Sequence, residues 1–285
     1  IRKRRGFYYK ETAIDQGFIA DNLLPNFLDY LTFSYQNPKP PGLADARDSD
    51  QAAVCFVEFD AFGNVESWHD LSGNRHDALM TEIHRRPDHN GSTVLFDGVN
   101  DYMDIARTEE LTLYNDSLYG FVVYGNKDPS RSGDTAIFSN YGFTGTVPNM
   151  SLFNKSSGQV LFGIGDEDRN PTEVLTSTES LNDGLDHIIQ FGLSVDSREV
   201  ELGIDAEIAT TLFADSPALG NIDSGQNYVR GSRTLNRFVP SEIKEILFFA
   251  GDNGEPILTE QEKIDITNYL STKWGFTDRI DSDQD

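Results

Sequence analysis

Residues 245–276 read Glu245-Ile-Leu-Phe-Phe-Ala-Gly-Asp-Asn-Gly-Glu-Pro-Ile-Leu-Thr-Glu-Gln-Glu-Lys-Ile-Asp-Ile-Thr-Asn-Tyr-Leu-Ser-Thr-Lys-Trp-Gly-Phe276. The apolar run at its start is that of a buried strand. Gly251-Asp-Asn-Gly254 then punctuates the chain as a turn. Thr259 and Glu262 have the spacing of a capping box, in which each side chain satisfies a free amide at a helix start. Ile266, Tyr269, Leu270 and Trp274 follow at helical spacing on one face, and Gly275 closes the helix as a left-handed cap. Nothing in the segment carries catalytic chemistry, so it points to recognition or architecture.

Upstream, from residue 52, short apolar runs alternate with turn clusters. Strands are expected at Val54–Phe59, Thr93–Phe96, Tyr102–Ile105, Leu118–Tyr124, Thr135–Phe138 and Met150–Phe153. More are expected at Gln159–Ile164, His187–Val195, Glu199–Ile204, Glu207–Thr211 and Ile243–Phe249. Residues 198–208 read as a hairpin joined near Asp205. Many short strands with one helix, 24 Gly and 11 Pro describe an all-β, two-sheet antiparallel jelly-roll sandwich with a C-terminal helix. Nineteen Phe and 11 Tyr supply ample core. The single cysteine, Cys55, allows no internal disulfide and reads as a buried small hydrophobe. No apolar run is long enough for a membrane-spanning helix.

Residues 1–45 differ from the rest and form a basic, aromatic N-terminal extension and linker; the sandwich occupies 46–276 and an acidic tail 277–285. Formal net charge is −24, yet Arg2, Lys3, Arg4, Arg5 and Lys10 crowd the first ten residues. The remainder carries 18 basic residues against 47 acids, a net of −29. Such a body repels nucleic acid and anionic lipid, while the arm seeks an acidic partner: another structural subunit, a copy of this chain, or nucleic acid through the arm alone. Arg2, Lys3, Arg4, Arg5, Phe7, Tyr8, Tyr9, Phe27, Leu28 and Leu31 are the candidate assembly residues. Phe27, Leu28 and Leu31 follow Pro25 at helical spacing, so a short docking helix is expected there. Asn37-Pro-Lys-Pro-Pro-Gly42 is a stiff, extended linker. Because the chain begins with Ile1 rather than Met, processing of a longer precursor is among the expectations.

Three passages, in order, resemble a concanavalin A-like (laminin G-like, pentraxin-like) domain. They are Val65-Glu-Ser-Trp-His-Asp-Leu-Ser-Gly-Asn-Arg-His-Asp-Ala78, Val94-Leu-Phe-Asp-Gly-Val-Asn-Asp-Tyr-Met-Asp-Ile105, and the closing strand and helix. The resemblance spans residues 52–276 and implies the sandwich. It also implies an appended module of the kind found in secreted, surface and virus-particle proteins. The acids and asparagines of these passages are read as turn formers, and Trp68 as a buried anchor at a strand end.

Four chemistries follow from residue type. Related hydrolases place three carboxylates along one strand as Glu-x-Asp-x-x-Glu; here Glu58 and Asp60 are followed by Gly63, so the third is missing and no catalytic residue is assigned. His69, His76, His84 and His89 fall within about twenty residues but lack metal-ligand pairing, and a solvated loop is the expectation. Asp166, Asp168 and Asn170 offer alternating oxygens for calcium, the one cofactor the pattern allows, with Pro171 where a calcium loop would carry Gly. Tyr124, Tyr141, Phe143 and Tyr228 are aromatic candidates for stacking on a sugar.

The first functional reading is a non-enzymatic structural or adhesive module of a larger assembly, such as a phage or viral capsid or tail, anchored by the arm. The second is a secreted or cell-surface glycan-binding lectin, calcium-dependent if 166–170 ligates. The third, weakest, is a glycoside hydrolase. The corresponding locations are a virion or the extracellular surface.

Overall fold

The computed structural model describes residues 29–34, 57–70, 76–90, 93–105, 117–130, 134–142, 150–165, 171–194, 196–205, 207–212, 225–229, 238–251 and 258–276. Arg2, Lys3, Arg4, Arg5, Phe7, Tyr8, Tyr9, Phe27, Leu28, Cys55, Phe143, Asp166, Asp168 and Asn170 lie outside these residues. The first seven strands in chain order are β1 (Asp29–Ser34), β2 (Val57–Phe59), β3 (Val65–Trp68), β4 (Ala78–Leu79), β5 (Asp88–His89), β6 (Val94–Phe96) and β7 (Met103–Ile105). They are followed by β8 (Ser117–Asn126), β9 (Thr135–Gly142), β10 (Met150–Asn154), β11 (Gln159–Gly165) and β12 (Pro171–Ser180). The last are β13 (Asp186–Ser194), β14 (Glu199–Ile204), β15 (Glu207–Leu212), β16 (Gly225–Val229) and β17 (Ser241–Gly251). Helix α1 covers Glu260–Trp274, and one 3-10 turn covers Ile83–Arg85.

The strands form two antiparallel sheets, ordered β15-β14-β13-β8-β17-β6-β5 and β12-β11-β10-β9-β16-β7-β4-β3-β2, with β1 added beside β17. Their inner faces interlock in one core, where Phe162 meets Phe191 at 5.2 Å and Phe138 meets Phe248 at 5.9 Å between ring centres. Helix α1 lies on the outer face of the first sheet. Ile266, Leu270 and Phe276 pack there with Tyr119, Phe121, Val123, Leu247 and Phe249. The architecture is therefore a jelly-roll sandwich with one helical layer on one sheet, as the strand pattern requires.

This layering accounts for the unbroken apolar run in β17. Both faces of β8 and β17 are covered, so Ile246 and Phe248 enter the central core while Leu247 and Phe249 meet the helix. An alternating polar face is unnecessary. A bulge against β8 between Ile243 and Glu245 resets the alternation. Ile243 and Ile246 consequently both reach the central core, three residues apart instead of two or four. The capping box forms, with Glu262 Oε2 accepting from Thr259 N at 2.8 Å, and Gly275 adopts the left-handed conformation at φ 79. Two glycines make room for rings across the β8–β13 pair. A Cβ on Gly120 would stand 2.3 Å from Phe191 Cζ, and one on Gly192 2.5 Å from the Tyr119 ring.

One expectation from the sequence is corrected. Residues 29–34 form a strand, not part of a helix. Leu31 pairs with Phe248 and Thr32 with Leu247 along the β17 edge. That edge decides the matter: β6 pairs β17 only over Ser241–Ile243, leaving the backbone donors and acceptors of Glu245–Phe249 to be satisfied by an added strand.

Candidate functional site

Where the chain passes from β4 in one sheet to β5 and β6 in the other, and back to β7, three turns enclose an open cleft of about 370 Å³. Asn64, Ile83, His84, Arg86, Asp88, Leu95, Phe96, Asp97 and Asp101 line it. Two of its walls are turns built by their own carboxylates. Asp60 Oδ1 accepts from the amides of Phe62 (2.8 Å) and Asn64 (3.0 Å). Asp97 Oδ1 accepts from Val99 N (2.7 Å) and Asn100 N (3.2 Å), and Asp101 Oδ2 accepts from Asp97 N (2.9 Å). The acids of the Phe96–Tyr102 passage are thus turn formers, as read from the sequence. Gly98 sits at φ +75, where a Cβ would also strike the Pro240 ring at 2.3 Å.

Arg86 ties these turns together. Its Nε donates to the Met80 carbonyl (2.8 Å), Nη1 to Asp60 (3.1 Å) and Nη2 to Glu66 (2.7 Å), with 7% of the side chain exposed. Burial pushes the Asp60 carboxyl up, but the Asn64 and Phe62 amides and the Arg86 guanidinium outweigh it and hold the group below its ordinary value. Next door, Arg85 donates to the Tyr102 hydroxyl (3.2 Å), and Asn100 Nδ2 donates to the His84 carbonyl (2.9 Å). At the rim Ile83 is 54% exposed, and Phe62, on the turn that supplies Asn64, is 80% exposed. The cleft therefore offers fixed acceptors, a neutralised cation and exposed apolar groups, the composition of a site for a small polar ligand.

The residues singled out from the sequence are distributed differently. Tyr124 is fully buried in the central core, where its hydroxyl is 3.4 Å from Asn154 Nδ2, so it cannot stack on a ligand. Tyr141 pairs with Gln226, and Tyr228 with Ser139, along the β9–β16 ladder of the other sheet. Trp68 is fully buried, as expected. The four histidines do not share a solvated loop. His76 is buried beside Asp70 (3.6 Å), His69 faces Asp77 (3.2 Å), His89 lies on β5, and His84 alone is well exposed at the cleft. Among the described residues no group of three or more His, Cys, Asp or Glu side chains could hold a metal ion. Sequence reasoning misses Arg86, Phe62 and Ile83, because isolated residues in loops give no periodic signal; Asp60 and Asp97, each opening a Gly-containing turn, are the available clue.

A second polar cluster also leaves no trace in the sequence. His187 sits between Asp205 Oδ2 (2.9 Å) and Asp183 Oδ1 (3.0 Å), with 7% of its side chain exposed. Burial pulls the imidazole pKa down, but the two carboxylates prevail and raise it above 6.5. Asp205 also caps the β14–β15 hairpin at φ 56 and accepts from Ile188 N (2.9 Å), so the cluster locks β13 to that turn.

No family model matches the sequence, and no curated protein matches it. Solved structures share the fold. The binding domain of paraclostridial mosquitocidal protein 1 aligns with TM-score 0.52 at 12% identity, over 75% of this chain and 52% of that one. The botulinum neurotoxin serotype D ligand binding domain, in complex with N-acetylneuraminic acid, aligns with TM-score 0.53 at 13% identity, over 85% and 50%. A Trypanosoma rangeli sialidase in complex with sialic acid aligns with TM-score 0.52 at 12% identity, over 89% and 33%. The chain spans about half or less of the length of these chains. At such identities the likeness is one of fold: a two-sheet antiparallel β-sandwich shared by binding domains and by a domain-sized part of a sialidase. Among the described residues, no helix is long and apolar enough to cross a membrane.

Proposed function

We propose that this chain is a non-enzymatic glycan-recognition module on a concanavalin A-like (laminin G-like) sandwich, acting at a cell or particle surface. The cleft lined by Arg86 carries this reading: its carboxylates and amides are pre-oriented, Ile83 stands exposed in its lining, and Phe62 stands exposed on the turn that supplies Asn64. Apolar side chains at a polar groove suit the two-sided character of a sugar ring, whose C–H face packs while its hydroxyls hydrogen-bond. The binding-domain neighbours support the same class. Binding rather than hydrolysis is favoured because Asp60, the partner that Glu58 would need, is occupied by two amides and Arg86. Calcium at Asp166, Asp168 and Asn170 is an optional part of the reading, tested by chelation. The assay is a glycan array probed with the full chain and with Phe62→Ala, with and without chelator. Saturable binding lost in Phe62→Ala is expected. Absence of any glycan signal, or binding indifferent to Phe62→Ala, refutes the cleft as the site.

The second reading, a structural component anchored in a larger particle through residues 1–45, is favoured by one observation. The segment contributes β1 to a sheet edge by backbone pairing, a mode by which arms also join neighbouring copies. Deleting residues 1–36 should then abolish assembly and leave a folded sandwich; assembly retained without the arm refutes it.

A further inference from the structure

We infer that the cleft selects uncharged glycans and discriminates against sialylated ones, although two of the fold's neighbours were solved with sialic acids bound. The inference rests on the glycan reading above and concerns the charge of the ligand.

A carboxylate sugar needs a cation that is free to meet it, usually an arginine presenting two parallel N–H groups. Among the described residues the cleft has one arginine in its lining, Arg86, and its geometry is already spent. Nη1 and Nη2 each meet a carboxylate of this chain, at 3.1 and 2.7 Å, and Nε meets the Met80 carbonyl at 2.8 Å. Only 7% of the side chain reaches solvent. Its neighbour Arg85 is likewise drawn to Glu82 (3.1 Å) and to the Tyr102 hydroxyl (3.2 Å). His84 stands 3.7 Å from the Glu82 carboxylate, which faces it from the same turn.

Beside the amide of Asn64 and the imidazole of His84, the remaining polar groups of the lining are the carboxylates of Asp88, Asp97 and Asp101. Asp88 is exposed, and Asp97 commits Oδ1 to the backbone amides of its own turn. Carboxylate oxygens accept and never donate when ionised, so they match sugar hydroxyls, which donate. Against a sugar carboxylate the same oxygens offer only repulsion, acting together over a few ångströms and weakened by salt. The body of the chain, at net −29 outside the first ten residues, adds long-range repulsion of the same sign. Ile83 in the lining and Phe62 on the turn that supplies Asn64 are indifferent to ligand charge.

The test uses the full chain and matched probes: N-acetyllactosamine and larger neutral oligosaccharides, each beside its sialic acid-capped form, first on an array and then by titration calorimetry at low and high salt. The expected result is binding of neutral members with at least tenfold weaker binding of their sialylated partners at low salt. The gap should narrow as salt rises, and should shrink in Asp88→Asn and Asp97→Asn. Asparagine at 97 keeps the acceptor that its turn requires, so that variant reports on charge and not on folding. Equal or tighter binding of the sialylated probes overturns the inference while leaving the glycan reading standing. Failure to bind any probe removes both. A gap unchanged by salt and by both asparagine variants also overturns the inference, because discrimination would then lie in shape.

Discussion

Glu245 and Lys273 provide the sharpest test of how strand and helix are joined. Glu245 lies on β17 with 2% of its side chain exposed, on the face that meets α1. Lys273 Nζ stands 3.1 Å from its Oε2, and Trp274 Nε1 donates to the same oxygen at 2.8 Å. Removing the cation in Lys273→Met strands a buried carboxylate with one neutral donor, a loss of about 3–5 kcal/mol. Against a total stability of about 5–15 kcal/mol for a domain, that is a large fraction. Removing the anion in Glu245→Leu costs less. Lys273, 10% exposed, keeps its bond to the Tyr269 hydroxyl at 3.0 Å, and the main loss is the acceptor of the Trp274 indole, about 1–3 kcal/mol. The double variant should recover much of the Lys273→Met loss, since an apolar pair in place of a buried ion pair is often neutral. Urea denaturation of the four proteins gives the coupling energy, expected at about 2 kcal/mol or more. A Lys273→Met cost below about 1 kcal/mol, or no coupling, would refute the argument, because exposed pairs behave that way.

Further outcomes follow from the same structure. Gly120→Ala should destabilise the sandwich by about 1–3 kcal/mol through its clash with the Phe191 ring, read as a lowered urea midpoint with unchanged slope. Thr259→Ala removes half of the capping box and should cost about 1 kcal/mol in the same assay. His187 has a folded pKa raised above 6.5, so its contribution is complete below about pH 6.5 and is lost as pH rises through the raised value. Thermal midpoints should therefore fall over that interval in the wild type, and the fall should flatten in His187→Gln; a wild-type midpoint that rises there counts against the assignment. Deleting residues 1–36 bares the β17 edge at Glu245–Phe249, and light scattering should then detect irregular edge-driven aggregation, distinct from any ordered assembly through the arm; a truncated chain as monodisperse as the full one counts against the pairing.

The fold was legible wherever the sequence carried a strong local rule. The capping box at Thr259 and Glu262, the left-handed Gly275, the hairpin turn at Asp205 and the described parts of the apolar strands formed where read. Strands β4, β5, β12 and β16 escaped notice, and of β3 only the strand end that carries Trp68 was legible. The described part of β12 is rich in Ser, Thr and Glu and closes the sheet edge, so it shows little hydrophobic alternation. The site was far less legible. Tyr124 looked like a stacking aromatic because its neighbours are Gly-rich, yet both faces of β8 are covered. His76 looked solvated among loop residues, yet it is buried against Asp70. Arg86 gave no signal because its partners lie 6, 20 and 26 positions away.

By itself, the sequence determined most of the elements: the apolar strands, where the C-terminal helix starts and stops, and that the body is acidic with a basic arm. These are local matters of hydrogen bonding, turn preference and composition. Only the tertiary structure decided which way the residues of those elements point. The bulge at Lys244 turns Glu245 toward Lys273 and Trp274, and the open edge of β17 makes a strand of residues 29–34. The crossing between sheets brings Asp60, Glu66 and Met80 around Arg86. Each of these depends on contacts between residues far apart in the chain, whose energies no local window contains.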